Sequence, residues 1–297
     1  MKKERLRLSG GTSLSFFTAG DAARPAVLLL HGTPNSARMF RDLMPALAQE
    51  AFVIAPDLPG HGASDVLPEI SFAAIGEAVS ELLERLGIGP RFVYLHDWGA
   101  PVGLHVAMKA PEQVLGLIVQ NANAHRSGWG PGWASQLEYW AQPNAENTAA
   151  VTAHLTLEGT RDTYVSGVPP EVASRIPAEH WEEDWRVMNL PGHMETQRAL
   201  IDDYKNHAAR FDAIAAYLKE WQPPALMVWG RHDIYFALDE VLSWMRALPR
   251  MEAHVLDAGH LLLETHAATA ASLMRDFVRR TLTCAGTAAA SPAPGAA

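Results

Sequence analysis

The chain has 297 residues, 48% of them hydrophobic and 19% charged, and a formal net charge of -9. That apolar content can bury one large core, or one core interrupted by an insertion. An acidic balance gives no electrostatic attraction to nucleic acid or to an anionic membrane, so neither is expected as a partner.

Short apolar runs alternate with helical patterns along the first part of the chain. Residues 26–30 (AVLLL) form a buried strand pattern ended by HGTP. Met39, Phe40, Leu43, Met44 and Leu47 then recur at helical spacing. Residues 51–55 (AFVIA) are the next strand, ended by PDLPGHG, and Ile75, Val79, Leu82, Leu83 and Leu86 mark an amphipathic helix. Residues 91–95 (RFVYL) run into HDWGA, a helix follows to about Ala110, and a strand is expected at 114–119. Strand followed by helix, repeated, predicts an α/β fold: a mostly parallel central sheet with helices on both faces.

From about Asn123 to Trp221 no buried strand pattern occurs. This stretch reads as helices and loops and holds Trp129, Trp133, Trp140, Trp181 and Trp185. The alternation resumes with 225–229 (ALMVW), ended by GRHD, and with 253–256, ended by DAGH. A last helix carries Leu273, Met274, Phe277 and Val278. The expected organisation is a first core segment at 1–122, an inserted helical cap at 123–221, a second core segment at 222–283 and a disordered tail at 284–297. Inserted after a strand's C-terminal end, the cap would cover the crevice where parallel sheets bind ligands. The tail AGTAAASPAPGAA is low in complexity. The single cysteine, Cys284, cannot form an internal disulfide. The opening MKKERLRLSGG lacks the apolar run of a signal peptide, and no stretch of about 20 apolar residues occurs. A cytoplasmic location is the expectation.

The chemistry lies at the strand ends. Asp97 follows the RFVYL strand and precedes a helix, the position of a nucleophile elbow. Leu95 stands where the usual elbow has its first glycine, and Gly99 keeps the second. Asp233 follows the ALMVW strand, and His260 follows the last one. The order Asp97, Asp233, His260 is the nucleophile, acid, histidine order of a hydrolase triad. In HGTP, His31 and Thr33 belong to a loop whose backbone N–H groups can face a developing oxyanion. Singly, an aspartate at a strand end is more often a helix cap, and a lone histidine is more often structural. All of these in one order, each at a strand's C-terminal end, favour the catalytic reading.

The strings HGTPNSARMFRDL, PDLPGHGASD, LHDWGAPVG, WGRHD and DAGHLLLETH resemble the epoxide hydrolase and haloalkane dehalogenase branch of the α/β-hydrolases. The resemblance spans about Leu28 to Val278. It implies an α/β-hydrolase fold with a helical cap and a carboxylate nucleophile at Asp97. A carboxylate suits displacement at an sp³ carbon, because the adduct is a simple ester rather than an anhydride. His260, oriented by Asp233, would then activate a water against that ester, with the N–H groups of Thr33 and Trp98 as oxyanion donors.

The resemblance also implies how the leaving group would be helped. Epoxide hydrolases use tyrosines of the cap region, which gives Tyr164 and Tyr204 as candidates and Tyr139 as a third. Haloalkane dehalogenases use an indole such as that of Trp98, often with an asparagine after the HG of HGxP. Thr33 holds that position here, which weakens the halide reading. WGAPVG after Asp97 lacks the arginines of fluoroacetate-type enzymes. Epoxide opening is therefore the leading expectation, dehalogenation the second, and a noncatalytic small-molecule-binding protein the alternative of another class. The absence of serine at the elbow counts against a serine esterase. No HExxH motif or phosphate loop is present, so no metal or cofactor is expected. The tryptophan-rich, weakly charged cap predicts an apolar or aromatic organic substrate, with water as co-substrate.

Overall fold

The computed structural model describes residues 1–290. Its strands are β1 (Lys2–Arg7), β2 (Ser13–Ala19), β3 (Ala26–Leu29), β4 (Phe52–Pro56), β5 (Arg91–His96), β6 (Val114–Gln120), β7 (Ala225–Gly230) and β8 (Glu252–Leu256). They form one sheet in the order β1-β2-β4-β3-β5-β6-β7-β8. The β1–β2 and β2–β4 pairs are antiparallel and the remaining pairs are parallel. The expected strands from β3 onward are all present. β1 and β2 lie outside the expected alternation. β1 is an edge strand whose KKERLR sequence is largely exposed, so it carries no apolar run to mark it.

The helices are α1 (Met44–Leu47), α2 (Phe72–Arg85), α3 (Gly99–Lys109), α4 (Ala134–Ala141), α5 (Ala145–Thr152), α6 (Leu157–Val165), α7 (Pro170–Ala173), α8 (Ala178–Met188), α9 (His193–Ala209), α10 (Phe211–Trp221), α11 (Asp239–Ala247) and α12 (Leu263–Ala290). Because successive side chains of a strand point to opposite faces, the central strands feed two cores. Leu28, Leu30, Val93, Leu95 and Val119 pack with Ile75 and Val79 of α2, Leu104 of α3 and Leu218 of α10. Val27, Leu29, Phe92, Tyr94 and Ile118 pack with Met44 and Leu47 of α1 and with Met274 and Phe277 of α12. Both faces of the sheet are thus covered, which is why β3, β5 and β7 are buried along their whole length.

The segment between β6 and β7 is helical, with one isolated bridge from Trp129 to Phe236. Within it α4 packs on α5, α6 on α8 and α8 on α9, whereas α10 packs on α3 and α11 beside the sheet. Of the expected tail, residues 284–290 form the end of α12, and residues 291–297 lie outside the described residues. No helix among the described residues is long and apolar enough to cross a membrane.

The turn from β5 into α3 depends on one close approach. A Cβ on Gly99 would sit 2.4 Å from the Leu30 carbonyl oxygen, a backbone atom that cannot swing away. Gly99→Ala is therefore expected to cost about 2 kcal/mol of stability, the usual range for overpacking a rigid site. Urea unfolding would measure it, and an unchanged midpoint would show that the turn has slack.

Candidate active site

Three strand ends bring the expected triad together. Asp97 sits directly after β5 in the left-handed region, with φ at 46°. A non-glycine residue there is strained, and such strain is found where a side chain must be presented in one direction. The Asp97 N–H donates to the Asn121 carbonyl at 3.3 Å, which ties the turn to the end of β6. The carboxylate accepts from the Thr33 N–H, 2.8 Å from Oδ1, and the nearby Trp98 N–H also lowers its pKa.

His260 Nδ1 lies 2.9 Å from Asp233 Oδ2, and its Nε2 faces Asp97 Oδ2 at 3.7 Å. The second gap is too long for a hydrogen bond. Asp233 is itself held rigidly. Its Oδ1 accepts from the N–H groups of Tyr235 (2.7 Å) and Phe236 (3.1 Å). Its Oδ2 accepts from Asn121 Nδ2 at 2.8 Å. Asn121 in turn brackets Gly230, donating to its carbonyl and accepting from its N–H. With Asp233 occupied in this way, Nδ1 of His260 carries the proton and Nε2 is the free base.

Burial disfavours charge on Asp97 and raises its pKa, although His260 and the two backbone N–H groups pull the other way. Burial likewise opposes charging His260, but Asp233 and then Asp97 outweigh it and hold the imidazole above the usual histidine value. Raised pKa values on both groups mean that Asp97 gains its charge, and His260 loses its own, only as pH rises. Removing the Asp97 charge takes away one of the forces that raise His260. In Asp97→Asn, His260 is therefore expected to titrate at lower pH than in the unmodified protein. NMR titration of the ring would show this, and an equal or higher value would remove Asp97 from the causes.

Asp97, His260, Thr33 and Trp98 all line one cavity of about 500 Å³ under the helical segment. Its remaining wall includes Trp133, Gln136, Val151, Ile201, Tyr204, Ile234 and Tyr235, with Glu158, Asp162 and Thr163 of α6. Tyr204, an expected site residue, lines this cavity and donates its hydroxyl to Asn123 Oδ1 at 2.7 Å. Burial, followed by the Asp97 and Glu240 carboxylates, raises its pKa well above the ordinary phenol value.

Three residues singled out from the sequence do not line this cavity. Tyr164 is absent from the cavity wall. It is buried beside Ile176 and Leu261, where its hydroxyl donates to Asp184 and accepts from Asn35. Tyr139 donates to Asp202 at 3.0 Å, also away from the cavity. His31 does not line the cavity either, because both ring nitrogens serve the backbone. Nδ1 donates to the Gly32 carbonyl at 2.9 Å, and Nε2 accepts from the Leu58 N–H at 2.9 Å.

Sequence reasoning passed over Tyr235, which lines the cavity with its ring 5.1 Å from that of His260, and Asn121, which orients Asp233. Asn121 directly follows β6, so the strand-end signal that marked Asp97 could have marked it too. Tyr235 lies two residues beyond Asp233, in a loop with no periodicity to show its direction.

Residues 25–267 match the family described as the alpha/beta hydrolase fold. The chain is 32% identical over 273 residues to an uncharacterized hydrolase of Saccharomyces cerevisiae, covering 88% of this chain and 92% of that protein. It is 31% identical over 227 residues to a haloalkane dehalogenase of Mycobacterium marinum, covering 74% and 72% of the two chains. The solved structure of the epoxide hydrolase CorEH without ligand superposes with a TM-score of 0.74 at 22% identity, covering 94% of this chain and 99% of that one. The matched family, the parallel sheet and the strand-end constellation agree, and the chain belongs to the α/β-hydrolase fold family.

Proposed function

We propose that this hydrolase opens epoxides to diols through an ester formed on Asp97. The supporting observation is the convergence, in one cavity, of a buried carboxylate, a histidine with a free Nε2 and two phenols. In the first step an oxygen of Asp97 attacks an epoxide carbon. The C–O bond breaks, and its oxygen takes a proton from a phenol. Tyr235 fills this role, as does Tyr204 once its hydroxyl turns from Asn123 Oδ1 toward the substrate. Burial comes first among the causes that raise both pKa values, and Asp97 adds to both, so both phenols stay protonated as donors. In the second step His260 takes a proton from water, and the resulting hydroxide attacks the Asp97 carboxyl carbon. The tetrahedral oxyanion is met by the Thr33 and Trp98 N–H groups. Collapse releases the alkoxide, which takes the proton from His260 as the diol leaves, and the hydroxyl proton left on the Asp97 carboxyl returns to the phenolate. The 3.7 Å separation of Nε2 from Asp97 suits a base acting on a water bound beside both groups.

A second reading, haloalkane dehalogenation, rests on a different observation. The Trp133 indole N–H is buried without a hydrogen-bond partner, and Trp133 lines the same cavity as Trp98. This donor, together with the Trp98 indole on the same wall, could hold a departing halide while the Asp97 chemistry stays the same. The relatives support both leaving groups, since one is named a haloalkane dehalogenase and a structural neighbour is named an epoxide hydrolase. No lysine or arginine lines the cavity, which favours neutral organic substrates over carboxylates.

Turnover of styrene oxide and bromoalkanes in ¹⁸O-water tests the reading. Diol release with label in the Asp97 peptide supports epoxide opening, whereas label with bromide release moves the assignment to the second reading. Turnover without label in that peptide would overturn the ester mechanism. Tyr204→Phe with Tyr235→Phe is expected to slow epoxide opening by about 10²-fold or more, the scale of a general acid. Bromide release would be little changed, and an unimpaired epoxide rate would remove the phenols from the mechanism.

A further inference from the structure

The string PDLPGHG has no part in the reaction as written, yet its His61 is buried beside the candidate oxyanion loop. His61 Nδ1 lies 3.1 Å from the Pro59 carbonyl, which can only accept, so Nδ1 carries the proton. Burial, and next the neighbouring His31 ring, push the His61 pKa down to about 3, so the ring is neutral and Nε2 is an acceptor. Gln197 of α9 donates its amide Nε2–H to that nitrogen at 3.0 Å. This fixes the amide, leaving Oε1 to accept from the Thr33 hydroxyl at 2.6 Å. Thr33 is the residue whose N–H meets Asp97 Oδ1 at 2.8 Å.

We infer that Gln197 is a positioning residue that holds the Thr33 donor in place through a His61–Gln197–Thr33 relay. The inference rests on the proposed ester mechanism. Gln197 is 1% exposed, so no solvent competes for either of its bonds. The helix is also seated on the His61 loop. Gly60 has φ at 73°, and a Cβ there would lie 2.3 Å from Thr196 Oγ1, the neighbour of Gln197 on α9. A helix between β6 and β7 therefore sets the position of a donor that belongs to the loop after β3.

The two chemical steps should respond differently. Forming the ester discharges the carboxylate, so a displaced Thr33 N–H withdraws stabilisation from the starting state. Hydrolysing the ester builds charge on the same oxygen, so there the displaced donor withdraws stabilisation from the transition state. A residue with a merely structural role would slow both steps or lower stability without separating them.

The test is single-turnover kinetics with styrene oxide, following the mass of the Asp97 ester by rapid quench. In Gln197→Leu, ester formation is expected to stay within a few-fold of the unmodified protein. Hydrolysis is expected to slow by about tenfold or more, so that the ester accumulates. Thr33→Val, which removes the hydroxyl, should reproduce the split, and Thr33→Ser, which keeps it, should restore the balance. Should Gln197→Leu not fold, the Thr33 pair carries the test alone. Equal slowing of both steps, or hydrolysis within twofold in the Leu and Val variants, overturns the relay. No ester in the unmodified protein, despite turnover, instead overturns the mechanism on which the relay depends.

Discussion

His260→Gln is expected to halt the protein after one chemical event, with substrate left as an ester on Asp97. The reason is the division of labour in the site. In the proposed mechanism, ester formation needs the Asp97 carboxylate and a proton donor for the leaving oxygen, and neither is His260. Ester hydrolysis needs a base within reach of a water beside Asp97, and His260 Nε2 is the free nitrogen facing that carboxyl at 3.7 Å. Glutamine keeps a polar side chain of similar reach but has no basic nitrogen. Steady-state turnover should fall by about 10³-fold or more, in line with losses at other hydrolase histidines, while a stoichiometric burst remains. Intact-mass measurement after brief exposure to styrene oxide should show one substrate added, and peptide mapping should place it on Asp97. Turnover close to that of the unmodified protein would eliminate His260 as the base. An adduct on another residue would move the nucleophile.

Asp97→Asn should abolish both the burst and the turnover, by about 10⁴-fold or more. An amide oxygen is a far weaker nucleophile than a carboxylate, and the change leaves the shape of the elbow intact. The same substitution separates chemistry from folding by its effect on stability. Burial raises the Asp97 pKa, so the folded state disfavours the ionised form. A raised folded-state pKa means that ionisation of this carboxyl lowers stability once pH exceeds the unfolded value of about 3.9. A neutral asparagine removes that cost. The variant should therefore be inactive at neutral pH and yet melt no lower than the unmodified protein, the pattern expected of an active-site residue held at the expense of stability. Loss of activity together with a large drop in melting temperature would assign Asp97 a structural role instead. Retained activity would return the search for a nucleophile to the rest of the cavity.

The separation of the two steps is also where the surrounding charges matter. In the proposed reaction, esterifying Asp97 would remove its charge, and with it one of the forces that keep the His260 pKa raised. The imidazole then becomes easier to deprotonate at the stage where a base is required. Asp233 does not change between the steps. Its oxygens are occupied by Asn121, His260 and the N–H groups of Tyr235 and Phe236, so it orients the ring throughout.

The fold class and the three members of the candidate triad were legible in the order of residues, and the reason is local. In a parallel sheet every strand points the same way, so the residue after each apolar run emerges at the same edge of the sheet. Reading Asp97, Asp233 and His260 as strand-end residues therefore placed them at one edge without any knowledge of their distances. The strand runs were visible because β3, β5 and β7 are buried on both faces and must be continuously apolar. β1 was not visible, because an exposed edge strand has no such requirement.

The cap residues obeyed no local rule. On α6, Glu158, Gly159, Asp162 and Thr163 face the cavity, at the spacing of one side of a helix, and Tyr164 falls on another side, against Asp184. Which side that is depends on how α6 is rotated over the sheet, and its packing on α8 sets that rotation. The same holds for Gln197, whose bonds to Thr33 and His61 join three segments far apart in the chain. By itself the sequence determined the parallel strands from β3 onward, their ends and the chain order of the candidate triad, because backbone direction and burial act within a few residues. Only the tertiary structure decided which tyrosines, tryptophans and amides meet the substrate space, because helix rotation and docking are settled by contacts between distant elements.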